Sequence, residues 1–142
     1  MKPAWLVLIA TFAFAQTPSS ATMKQLMLDL IHPASNDILL SVNRGGPPDK
    51  GMNDGEWAAV RRSALTLEES GTLLTMRGRA RDQGDWMKDA KMLADVGRAA
   101  YQAAQAKDLS ALSQLTDALD AACTTCHKQY RPNVFPREGG SK

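Results

Sequence analysis

Between residues 22 and 131 apolar positions recur every three or four residues, the spacing of helices that each bury one stripe. No run alternates apolar and polar residues as a half-buried strand does. The first predicted helix spans 22–43. Thr22-Met23-Lys24-Gln25 has the form of a capping box, Leu26 and Leu30 share a side with Met23 and Met27, and Pro33 predicts a kink near His32. Residues 44–55, rich in glycine and proline, read as a long loop. From Glu56 to Met76 the stripe Trp57, Val60, Ala64, Leu67, Gly71 and Leu74 predicts a second helix, which Gly78 is placed to end. Asp82 or Asp85 can cap a third, with Trp86, Ala90, Leu93, Gly97, Ala100 and Ala104 on its inner face. The fourth is expected as one helix from Asp108, carrying Leu112, Leu115, Leu119, Ala122 and Cys126 inward until Pro132 discourages helix at Arg131. The second and third helices end in short connections. The pattern therefore predicts an all-α fold, an antiparallel up-down-up-down four-helix bundle.

The composition, 142 residues with 23% charged and 44% hydrophobic, suits one globular domain. The ends read differently. Lys2, the apolar run from Trp5 to Phe14 and Ala13-Phe14-Ala15 make a cleavable signal peptide over 1–15, with Gln16 as the first mature residue. The run is half the length a bilayer crossing needs, so no membrane span is expected in the mature chain. Residues 16–132 then form the domain and 133–142 a loose polar tail. Without Lys2 the chain holds 16 basic and 15 acidic residues, a balance that gives no reason to expect nucleic acid or an anionic membrane as partner.

The chemistry gathers near the end of the last helix, in Cys123-Thr124-Thr125-Cys126-His127. C-x-x-C-H reads as covalent haem attachment: two thiols form thioethers with the haem vinyl groups, and the adjacent imidazole ligates iron. On a helix the three side chains fall within one narrow face. Other uses of the pair fit less well. A redox dithiol is expected near a βαβ pattern, structural zinc needs four ligands where the only other histidine is His32, and a plain disulfide requires no histidine.

A signal peptide, four helices and a C-x-x-C-H close to the C-terminus resemble the class II cytochromes c, the family of cytochrome c prime and its low-spin relatives. The similarity spans about residues 20–132. Its most specific part is Cys123 to Arg131, since the family tends to carry a basic residue four positions after the histidine. The resemblance implies one covalent haem c per chain, attached at Cys123 and Cys126, with His127 as the fifth iron ligand. It also implies a periplasmic protein, a redox partner that the residues do not identify, and in many relatives a homodimer through the first two helices. Low-spin members place a methionine over the distal face and carry electrons. Members like cytochrome c prime keep an apolar residue there and bind nitric oxide or carbon monoxide.

In such a bundle the end of the last helix lies beside the beginning of the first. His127 precedes Arg131 by four residues, and a similar depth from Met23 arrives at Met27, because both helices advance about 1.5 Å per residue. Met27 is the expected sixth ligand and Met23, one turn away, the second choice, although Met23 stands where many relatives carry an arginine. An open or apolar distal face is the alternative, with His32, Met76 and Met87 further candidates and His32 expected roughly 7 to 8 Å too far. The same topology brings Arg77, Arg79, Arg81 and Arg131 toward the haem propionates, where guanidinium forks match carboxylates. Trp86 can pack on the haem edge, while Trp57 and Tyr101 read as core. With neither a second histidine nor an acid-base pair expected at the distal face, the reading is an electron carrier and not an enzyme.

Overall fold

The computed structural model describes residues 21–44 and 51–133, and every regular element among them is helical. The predicted leader over 1–15, the middle of the long loop and the tail after Asn133 lie outside the described residues. Helix α1 runs over 23–43, α2 over Asp54–Thr75, α3 over Asp85–Ala106, α4 over Leu109–Gln114 and α5 over Thr116–Tyr130. They form an all-α helical bundle.

Local chemistry fixes the starts. Thr22 and Gln25 close the predicted capping box on α1. Helix α2 begins two residues earlier than the apolar pattern indicated, at Asp54, because Asn53 and Glu56 make a second capping box of the same geometry. Asp82 holds the start of α3 from outside it, its Oδ1 accepting from the Gly84 and Trp86 amides at 2.8 and 3.1 Å. Asp108 caps α4 by accepting from the Ala111 amide.

Two departures from the expected pattern have physical causes. Pro33 offers no N–H to the Asp29 carbonyl, and its ring would crowd that oxygen. The helix adjusts one turn before the proline: the His32 amide reaches back five residues to the Met27 carbonyl, and Leu26–Ile31 form a π turn. The extra residue changes which leucine is buried. Leu26 and Ile31 are 3% and 5% exposed while Leu30 is 40% exposed, so the expected pairing of Leu26 with Leu30 does not hold. The second departure divides the predicted fourth helix at Leu115. Its amide bonds the Leu112 carbonyl in a tight turn, and the Thr116 hydroxyl donates to the Ser113 carbonyl at 2.8 Å, competing with the regular ladder.

The core stripes of α2 and α3 are those predicted: Val60, Ala64, Leu67 and Ala104 are fully buried, with Trp57 and Trp86 each 4% exposed. Opposite ends of the two helices meet. The Trp86 indole N–H donates to the Leu74 carbonyl at 2.8 Å, and Lys107, just past α3, pairs with Asp54 at 2.6 Å. The end of α5 likewise meets the start of α3, where Gln129 reaches Asp85 and the Tyr130 hydroxyl donates to Asp82. Helix α1 meets α2 through the Ser63 hydroxyl, which donates to Asp37 at 3.0 Å.

Candidate functional site

Where α1 and α5 face each other, side chains do not close the gap. Two adjoining cavities of about 290 and 370 Å³ lie there, sharing Met27 and Leu28 from α1, Trp86 from α3, and Cys126, His127 and Arg131 from the last helix and its end. These volumes fall in the range of small-molecule and cofactor sites. Leu74, Leu93, Leu119 and Ala122 give the first cavity an apolar wall. Along α1 the space runs from Met23 in the second cavity to Leu39 in the first.

The predicted residues divide clearly. Cys123, Cys126 and His127 all line the first cavity, and Met27 lies at its junction with the second. Met23 lines the second cavity alone. His32, expected too remote, lines the first, because the cavity extends along α1 as far as Leu39. Met76 is 48% exposed and Met87 packs against the core, and neither lines either cavity. Of the four arginines, Arg81 and Arg131 reach the cavity walls. Arg77 and Arg79 do not: Arg77 is exposed, and the Arg79 guanidinium turns to the Leu73 carbonyl and the Met76 sulfur at 3.3 and 3.6 Å, where it caps the end of α2. Trp86 stands at the cavity as expected, its ring 4.8 Å from that of Tyr130 in an edge-to-face contact.

Electrostatics set the state of the reactive groups. Burial, followed by the negative charge of Asp89, pushes the Cys126 thiol up to about 12; burial and Asp120 push Cys123 up as well. A redox dithiol needs the opposite shift, since the thiolate is the nucleophile. Burial and the neighbouring Arg131 charge hold His127 below the usual imidazole range, so at neutral pH it stays in the neutral form that ligates metals. Tyr130 is held protonated by burial and by its bond to Asp82.

Sequence reading missed Asp89, Tyr130 and Leu28 among the wall residues. Asp89 is 7% exposed in the first cavity beside Cys126, and Tyr130 closes the second. The i−4 spacing of Asp85 and Asp89 places both on one face of α3, but a carboxylate at that spacing usually reads as solvated, and only the approach of α5 buries Asp89.

Among the described residues no three His, Cys, Asp or Glu side chains are grouped to hold a metal ion by themselves. An iron held here would need a group that brings donors of its own, with the chain supplying further ligands and anchors. For that group the residues fit: paired thiols one helical turn apart, a neutral imidazole beside them, an apolar wall and a thioether opposite.

The thiol shift is open to measurement. Apoprotein treated with iodoacetamide is expected to modify Cys126 at a rate that keeps rising about tenfold per pH unit past pH 10, without the plateau of an ordinary thiol near 9. Mass spectrometry after digestion checks this, and a plateau near pH 9 contradicts the environment described. No protein-family model, curated protein or solved structure matches this chain.

Proposed function

We propose that this chain is an exported c-type cytochrome of the periplasm, holding one covalent haem and passing single electrons to a partner protein. One observation carries the reading: the Cys123, Cys126 and His127 wall of α5 faces Met27 of α1 across an apolar cavity. Among the described residues no helix is long and apolar enough to cross a membrane. Cys123 and Cys126 are the residues to hold the haem as thioethers, with His127 as proximal ligand and Met27 as distal ligand. When bound, the group supplies a one-electron iron couple whose potential a methionine ligand raises.

The chain's own contribution is to prepare and shield that group. Burial and Arg131 keep the His127 ring unprotonated and ready to ligate. Leu74, Trp86, Leu93 and Leu119 give the site apolar walls that would shield a bound group from water and lower its local dielectric. Arg81 and Arg131 stand at the second cavity, where their fixed donor forks suit the haem carboxylates.

A second reading, binding of nitric oxide or carbon monoxide at a five-coordinate iron, is favoured by Leu28. It lines both cavities beside Met27 and would leave the distal position apolar. Spectra of protein matured in a haem-competent host decide between them. A low-spin ferric spectrum with a methionine-to-iron charge-transfer band, and a ferrous form slow to take up carbon monoxide, supports the electron carrier. A high-spin spectrum with rapid, complete carbon monoxide uptake supports the gas binder. Colourless protein whose Cys123 and Cys126 both remain alkylatable overturns both.

A further inference from the structure

Asp89 has a place in the cavity wall that neither haem attachment nor ligation uses. Its side chain is 7% exposed, it interacts with the Cys126 thiol, and its Oδ2 has no hydrogen-bond partner. Once Cys126 is a thioether, the sulfur has no proton to share. A buried carboxylate left without a donor is costly as an anion and takes up a proton instead.

On the proposed haem reading, we propose that Asp89 is the proton acceptor coupled to the haem electron. Reduction brings one electron from an external one-electron donor to ferric iron and one proton from water to the Asp89 carboxylate; oxidation returns both. The coupling follows from charge. The ferric haem centre carries one more positive charge than the ferrous and favours the carboxylate anion nearby; its loss on reduction favours the neutral acid. Linkage makes the effect reciprocal, so a proton on Asp89 also raises the electron affinity.

The groups around Asp89 reinforce this role. On its own helix lie Asp85 and the partly compensating Lys88, with Asp82 just before α3. From α5 and its end come Cys126 and Tyr130, with Cys123, Asp120, His127 and the cation Arg131 also along the wall, and His32 of α1 stands across the cavity. The α2 side contributes Leu74 and no titratable group to this cavity. Burial, then Asp85, raises the Asp89 carboxyl above the ordinary range, so the charged residues nearest it oppose its ionisation.

Potentiometric titration of the haem-loaded wild type and of Asp89→Asn across pH tests the inference. The wild-type potential is expected to fall as pH rises through the Asp89 ionisation, by up to tenfold in the redox equilibrium per pH unit, about 59 mV for one electron. Asp89→Asn should be flat over that interval and sit at the wild type's acid limit. Identical pH profiles for the two proteins overturn the proposal. If Asp89→Asn takes up no haem, the infrared difference spectrum of wild type between oxidation states decides: a protonated carboxyl band must grow on reduction and shift in D2O, and its absence overturns the coupling. Failure of the cytochrome reading looks different, since wild type would then mature without haem.

Discussion

In haem-loaded protein, Met27→Ala is expected to turn a low-spin ferric spectrum high-spin and to lower the reduction potential on the order of 0.1 V, part of the about 0.8 V that axial ligation spans. The expectation rests on position. Met27 lines both cavities opposite His127, whereas Met23 lines one, and Met76 and Met87 line neither. Met27 lies within the π turn, its carbonyl accepting from the His32 amide. Carbon monoxide binding to the ferrous variant should be faster than to wild type, since a vacated sixth position admits diatomics. A Met27→Ala spectrum identical to wild type, paired with a spin-state change in Met23→Ala, would move the ligand to Met23. A spectrum unchanged in both variants would remove methionine ligation.

Gly97→Ala is expected to destabilise the fold by about 1 to 3 kcal/mol, even though alanine is the better helix former by about 1 kcal/mol. A Cβ at Gly97 would lie 2.5 Å from the Glu68 backbone nitrogen and 2.9 Å from the Ala64 carbonyl oxygen. Neither atom can turn aside as a flexible side chain does. Gly71 is its counterpart, where a Cβ would meet the Ala90 carbonyl and Ala94 Cβ, both at 2.6 Å. The two glycines let α2 and α3 approach backbone to backbone, and Gly71→Ala should cost a similar amount. Thermal unfolding of the variants measures this, with roughly 4 °C lost per kcal/mol for a domain of this size. A midpoint equal to or above wild type for Gly97→Ala would mean that the helices can separate freely, contrary to their packing here. Haem binding should survive in any variant that still folds, because the glycine contacts join α2 to α3 whereas the cavity lies between α1 and α5.

Met27→Ala bears on ligation of the proposed haem, and Gly97→Ala on assembly of the bundle. Helices α2 and α3 form a tightly apposed pair without space between them, and α5 docks on α3 through Trp86, Tyr130, Asp82 and Asp85. That leaves α1 as the element whose apolar residues Met27, Leu28, Ile31 and Leu39 face an unfilled cavity, with Leu28 55% exposed. A group bridging α1 and α5 would complete the burial and stabilise the fold by its binding free energy, a link between loading and folding familiar from metal sites.

The chain's sequence alone determined that the elements are helices and which residue types the last of them carries, though not the division of that helix at Leu115. Apolar residues at helical spacing specify the buried faces of α2 and α3, capping residues specify starts at Thr22 and Asp108, and C-x-x-C-H places two thiols and an imidazole on one helical turn. These are properties of neighbours along the chain. What lies across space was decided only by tertiary structure: the burial of Asp89 and the closing position of Tyr130 depend on α5 meeting α3, and the departure of Arg79 from the cavity depends on the open carbonyls at the end of α2. The π turn belongs between the two. Pro33 announces an irregularity, but whether the helix kinks after it or widens before it depends on which residues the core accepts, and burial of both Leu26 and Ile31 selects the wider turn.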